Sequence, residues 1–190
     1  MTENDFWNII DSSRESVFAE GFLTPPLPDN PGDEFLDRQE AKLKQILRGM
    51  TPEEVLDFEE QFARQRYRAY RYDVWGAAYL MEGGCSDDGF MDFRSTLISL
   101  GKELFTRALN DPDSLAEMID RPEVPFLQSE GFQYVAMNVY KEMTGRDLCD
   151  DCRRMPHPEE TADEGFDFNN GEEMSQRYPK LAARFPENLG

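Results

Sequence analysis

Apolar residues recur along this chain at three- and four-residue intervals, and strand-like alternation is nearly absent, so the pattern predicts helices. Thr2 is placed to cap a first helix, with Glu3 and Asp5 in its opening turn and Phe6, Ile9, Ile10, Ser13 and Val17 on one face. The proline-rich run from Thr24 to Gly32 predicts an extended, polyproline-like connector. A second helix is expected from about Asp33 to Arg48, with Phe35, Leu36, Leu43, Ile46 and Leu47 inward. Thr51-Pro52-Glu53-Glu54 is the clearest helix start: an N-cap, a proline in the first turn and a glutamate that closes a capping box. The helix it opens is expected to run unbroken to about Glu82, where Gly83-Gly84 stops it.

Ser86 caps the next predicted helix, with Asp87 and Asp88 where the helix dipole favours negative charge. Its core face is Phe90, Phe93, Leu97, Leu100 and Leu104, and Gly101 allows a bend or a close approach. Asp111-Pro112-Asp113-Ser114 opens a short helix through Met118, and Glu130 to Met143 reads as another, ended by Gly145. From Asp147 to Gly171 the chain is acidic, polar and turn-rich, and an irregular, mobile segment is expected. A last short helix, about Glu172 to Phe185, carries Met174, Tyr178, Leu181 and Phe185. The expected fold is mainly α, a compact bundle of about six to seven helices. Residues 1–146 form its core domain, and residues 147–190 form an acidic segment whose short helix docks on that core.

Charge alters this picture in two ways. On the long predicted helix, Glu59, Arg66 and Asp73 fall seven residues apart near the centre of the apolar arc. Buried charge needs a partner, and their spacing points to partners on other helices, as salt bridges or as a polar site. Glu60 and Arg64 should pair at i,i+4 on the opposite arc. Arg64, Arg66, Tyr67, Arg68, Tyr70, Arg71 and Tyr72 form a basic–aromatic block, read as internal charge pairing, with a small-anion site as its alternative.

The formal net charge of the whole chain is −19. Nucleic acid and anionic lipid both require a basic field, so neither is an expected partner. The charge leaves a basic protein partner, a cationic ligand, a metal or plain solubility, the last being the simplest reading, and an acidic surface can also imitate the charge of DNA. Met1 to Ile10 lacks the basic-then-apolar pattern of a signal peptide, and no apolar run is long enough to span a membrane. Three cysteines, an odd number, fit a reducing compartment, so a cytoplasmic location is expected.

The candidate chemistry is sparse. Cys85 follows Gly83-Gly84 near a helix N-terminus, but Asp87 and Asp88 oppose a thiolate and no histidine is nearby in sequence, so a buried structural cysteine is expected. Glu82, Asp87 and Asp88 are a weak cation set, because adjacent carboxylates on a helix point apart. Cys149, Cys152 and His157 are candidate metal ligands one short of a structural zinc site. No cofactor motif or catalytic constellation is present.

Arg68-Ala69-Tyr70-Arg71-Tyr72-Asp73-Val74-Trp75, Gly83-Gly84-Cys85-Ser86-Asp87-Asp88-Gly89-Phe90 and Phe93-Arg94 resemble the bacterial, actinobacterial-type domains of unknown function of family 4240. Asp5-Phe6-Trp7 and the Tyr178–Phe185 stretch resemble that family's two ends. The resemblance implies a compact helical bacterial cytoplasmic domain and carries no catalytic role. Its recurrent polar residues correspond to Arg68, Asp73, Trp75, Cys85, Ser86, Asp87, Asp88 and Arg94, which become the candidate ligand-binding set. The expected function is a non-enzymatic protein-binding or regulatory domain, an immunity-type inhibitor of a basic partner being one form. The alternative is a small-ligand binder or enzyme using the polar turn at Gly83–Asp88, with Asp73, Asp87, Asp88 and Arg94 holding the ligand beside Trp75.

Overall fold

The structure is a computed structural model and describes residues 1–125, 127, 130–152, 161 and 163–189. Among these the chain is mainly helical, with no strand. Local signals set the starts of three long helices. The Thr2 and Thr51 side chains each close a full capping box, with Asp5 and Glu54, at the heads of α1 (Glu3–Ala19) and α3 (Pro52–Arg68). Between them, turns and bends occupy residues 20–26 and 29–30, where an extended connector was expected, and α2 (Pro31–Arg48) takes Pro31 into its first turn.

The long helix expected from Pro52 to Glu82 is two helices. α3 stops at Ala69, Arg71 is extended (φ −132°, ψ 143°), and α4 (Tyr72–Glu82) starts afresh and ends on left-handed Gly83. No glycine or proline marks this break. Arg71 is held in place by its Nη1, which donates to the Leu109 carbonyl at 2.8 Å, and by an ion pair with Asp73.

The next expected helix is also divided. α5 (Asp87–Ser99) is capped by Ser86, whose hydroxyl accepts from the Gly89 amide at 3.2 Å. Gly101 at φ 88° then turns the chain into α6 (Lys102–Asn110), a conformation that side-chain-bearing residues avoid. A 3₁₀ turn (Pro112–Ser114) leads to α7 (Leu115–Met118), and another (Gly131–Tyr134) to α8 (Val135–Thr144), which ends on Gly145. α9 (Leu148–Asp151) lies inside the segment expected to be irregular. The last predicted helix is divided at Tyr178 into α10 (Gly171–Arg177) and α11 (Pro179–Arg184). These divisions, with α9, give eleven α-helices among the described residues, more than the six or seven expected. None of them is long and apolar enough to cross a membrane.

α1 and α2 pack together, α8 lies against α2 and α3, and α5 sits between α3, α4 and α6. Every residue of α5 from Phe93 to Ser99 is buried, including Arg94, Ser95, Thr96 and Ser99. Its hydroxyls therefore donate within the helix, Ser95 to the Met91 carbonyl and Ser99 to the Thr96 carbonyl, which lets them sit in a dry interior. Leu148, Met174, Tyr178, Leu181 and Ala182 join the same core as Phe6, Phe58, Phe62 and Phe90.

Residues 163–189 attach to α4 and, through α11, to α7 and the 3₁₀ turn before it. The Asp163 carboxylate accepts from the backbone N–H of Tyr72 (2.5 Å) and Asp73 (2.9 Å), satisfying donors that Arg71 leaves uncapped. At the other end, the Asn188 amide donates to the Leu80 carbonyl at 2.9 Å. In the first turn of α4, the Tyr178 hydroxyl also donates to the Asp73 carbonyl at 2.6 Å. This fit requires Gly76: a Cβ there would lie 2.5 Å from the Tyr178 hydroxyl and 2.8 Å from Phe166 Cζ.

The charges on the apolar face also resolve differently from expectation. Glu59 and Arg66 pair with each other along α3, loosely at 3.9 Å, with the Gln133 side-chain oxygen 3.5 Å from Arg66 Nη1. Asp73 belongs to α4 and pairs with Arg71. The i,i+4 pair expected between Glu60 and Arg64 is absent from the ion pairs of the described residues. Glu59 Oε2 and Arg66 Nε are buried without a hydrogen-bond partner. Burial pushes the Glu59 carboxyl up to about 7, against the opposing pull of Arg66.

Two outcomes follow. Gly76→Ala should lower stability to denaturant by about 1–3 kcal/mol through overpacking, overriding the gain of about 1 kcal/mol that helix propensity gives alanine. A more stable variant would show that residues 163–188 do not press on α4 as described. Glu59 is a carboxyl whose folded pKa lies above its ordinary 4.5, so its contribution to stability is fully present below about 4.5 and is lost as pH rises to about 7. Glu59→Gln should therefore flatten the fall in stability across that window and stabilise the protein above it by about 1–3 kcal/mol. Identical pH slopes for the two proteins would remove this role from Glu59.

Candidate functional site

The start of α4 and the Asp163 segment together border a cleft of about 630 Å³, lined by Tyr70, Tyr72, Trp75, Thr161, Asp163, Glu164 and Gly165. One wall is aromatic. Trp75 stacks on Phe90 (4.8 Å between centroids, 11° between planes), and Tyr70 and Tyr72 lie 6.5 and 6.0 Å from Trp75. The Trp75 indole N–H donates to the Cys85 carbonyl at 3.0 Å, which fixes the ring and leaves its apolar surface toward the cleft. Phe168 backs Tyr72 at 4.7 Å. The rest of the lining includes two acidic residues, Asp163 fixed by its two backbone donors and Glu164 exposed.

Beneath the aromatic wall lies a cation. Arg94 is 4 % exposed, and its guanidinium sits 4.7 Å from the Tyr70 ring and 4.9 Å from the Phe90 ring. Its Nε and Nη1 donate to the carbonyls of Phe90 and Arg66. Burial and the nearby Arg66 lower its pKa to about 10, so it stays charged at neutral pH. Arg94 is thus a buried support for the aromatic wall rather than a hand offered to a ligand.

The other residues singled out from sequence take separate local parts. Ser86, Asp87 and Asp88 are the exposed N-cap and first turn of α5. Asp73 is half-buried and paired with Arg71, and burial raises its pKa. Cys85 is half-buried, and burial, with Glu82 beside it, pushes its thiol up to about 11, away from a nucleophilic thiolate. Arg68 bridges Glu3 and Gln65 at 2.8 Å each and borders a different groove with Arg64 and Tyr67. Of the eight, Trp75 alone lines the aromatic–acidic cleft.

Among the described residues no group of three His, Cys, Asp or Glu side chains is placed to hold a metal ion. Cys149 is exposed and Cys152 half-buried, while His157 lies outside the described residues. Asp163 and Glu164 were not singled out from sequence. A carboxylate that caps a helix 91 residues away leaves no local trace.

Fold and cleft define a helical domain with an aromatic recess edged by carboxylates. The chain belongs to the family described as protein of unknown function (DUF4240), whose model matches residues 1–142. No curated protein and no solved structure matches it. The family match contains the aromatic wall and α4 but stops before the acidic wall, and it does not reach the Tyr178–Phe185 stretch.

Replacing Asp163 with alanine should cost about 1–2 kcal/mol, the usual range for a lost helix cap. Asparagine, which keeps an acceptor, should recover part of it. Equal stability of all three proteins in urea titration would show that α4 does not depend on this carboxylate.

Proposed function

We propose that this protein is a non-enzymatic binding module whose aromatic–acidic cleft receives a lysine or arginine side chain of a basic protein partner. The observation that carries this reading is the cleft lining itself: three aromatic side chains, Tyr70, Tyr72 and Trp75, share it with Asp163 and Glu164. Aromatic faces attract cations through their quadrupole, and desolvation strengthens the attraction. Neighbouring carboxylates add charge complementarity. The net charge of −19 raises the encounter rate with a basic partner over longer range. The elevated Cys85 thiol supports a binding role over nucleophilic catalysis. An inhibitor of a basic protein, of the immunity type, is the cellular role that fits such a surface best.

The test is a fluorescence titration with a lysine-rich peptide and a glutamate-rich control. Trp7 is buried at 1 % exposure, so a change in emission reports Trp75. The lysine-rich peptide should shift the emission, with affinity falling as salt rises. Tyr72→Ala combined with Glu164→Gln should weaken it at least about tenfold, or about 1.4 kcal/mol. Binding that survives the double substitution unchanged would place the contact elsewhere on the acidic surface and end this reading.

A further inference from the structure

A second cleft, of about 340 Å³, shares no lining residue with the first. It is bordered by Asp11, Arg14 and Glu15 of α1, by Leu100, Gly101, Glu103 and Leu104 at the α5–α6 junction, and by Arg121 and Glu123. Its unusual member is Arg14, which is 7 % exposed. Its Nη1 donates to the Ser99 carbonyl at 3.0 Å, and its guanidinium lies over the rings of Phe35 (5.1 Å) and Phe18 (5.7 Å). Among the described residues no carboxylate comes within 4.0 Å of it. Its Nε and Nη2 have no protein acceptor, yet unlike Arg66 Nε they are not sealed from the surface. A desolvated guanidinium with unused donors in a fixed fork is a carboxylate receptor.

The surroundings restrict what that carboxylate can belong to. Glu123 is 5 % exposed and held by Arg121 at 3.0 Å. Glu123 and Asp11 act on Arg14 across space without touching it, partly offsetting the burial that lowers its pKa to about 10. Asp11 is fixed in turn, because its Oδ1 accepts from the Lys102 amide at 3.2 Å. Gly101 keeps the floor open: a Cβ there would lie 2.5 Å from Asp11 Oδ1 and 3.4 Å from Arg14 Cδ. A simple anion would meet Asp11, Glu15, Glu103 and Glu123 as like charges, and a simple cation would leave Arg14 unused. A ligand bearing both charges satisfies both sets. The volume is at the small end of the ligand-pocket range of about 300–1,000 Å³, and Phe18, Leu100 and Leu104 give it an apolar side.

The geometry points to a binding site for a free aliphatic α-amino acid. Its carboxylate lies on Arg14 with Arg121 at the rim, its ammonium lies toward Glu123 and Glu15, and its side chain rests against Phe18, Leu100 and Leu104. The site is independent of the aromatic–acidic cleft and stands or falls separately from it.

Calorimetric titration of the whole protein tests this with L-leucine, leucinamide, which lacks the carboxylate, and 4-methylpentanoate, which lacks the ammonium. Leucine should bind at millimolar concentration or better, and each truncated compound should bind at least about tenfold more weakly. Arg14→Lys keeps the charge but loses the fork and should weaken leucine at least about tenfold. If that variant does not fold, Arg121→Gln, an exposed substitution, should still weaken it at least about threefold. Absence of leucine binding at millimolar concentration overturns the proposal. So does 4-methylpentanoate binding as tightly as leucine, which would mean a plain anion site. Equal binding of leucinamide would mean a plain acidic patch and would overturn it as well.

Discussion

The first backbone N–H groups of a helix need acceptors, and in this protein three helices take them from distant carboxylates. Arg71, Gly101 and Tyr178, the residues that precede α4, α6 and α11, provide no side-chain cap. Asp163 supplies it for α4, Asp11 for α6, and Asp113 for α11 through the amides of Lys180 and Leu181. Each bond joins segments far apart in sequence, and each places a negative charge at the positive end of a helix dipole. α4 depends on this most. Residues 163–188 satisfy donors at its start and a carbonyl near its end, and they press on Gly76 between.

Different interactions explain how so acidic a chain tolerates buried cations. Arg94 and Arg14 are both nearly enclosed, and neither forms an ion pair within contact distance among the described residues. Aromatic faces and backbone carbonyls take the place of carboxylates. Many acidic groups are committed to helix starts or to exposed pairs such as Lys180 with Glu117, which add little stability. What distinguishes the two arginines is their setting. Arg94 lies against the rings of the aromatic wall, whereas Arg14 lines a cleft.

The aromatic–acidic cleft has a composite origin. Its aromatic wall comes from the region shared with the family, and its acidic wall from residues beyond that region. Asp163 has two parts there: it completes α4, and in doing so brings Glu164 to the cleft that Trp75 lines. The capped helix start and the aromatic–acidic cleft are therefore built by one contact.

The sequence by itself determined what is local. Thr2, Thr51 and Ser86 start their helices as read, and Gly83 and Gly145 end theirs. Those signals act over three or four residues, within reach of a hydrogen bond along the chain. The apolar periodicity likewise placed Phe6, Phe58, Phe62, Phe90 and Leu97 in the core. Only the tertiary structure decided the break at Ala69–Arg71, the division at Tyr178, and the docking of an acidic stretch that reads as loose. An α-helix with good propensity continues unless something else holds its ends. Here the Leu109 carbonyl and the Asp163 carboxylate hold Arg71 and the α4 start from 38 and 91 residues away. The cleft was invisible for the same reason: Trp75 was evident in the sequence, but the acidic residues that share its cleft are brought there only by the fold.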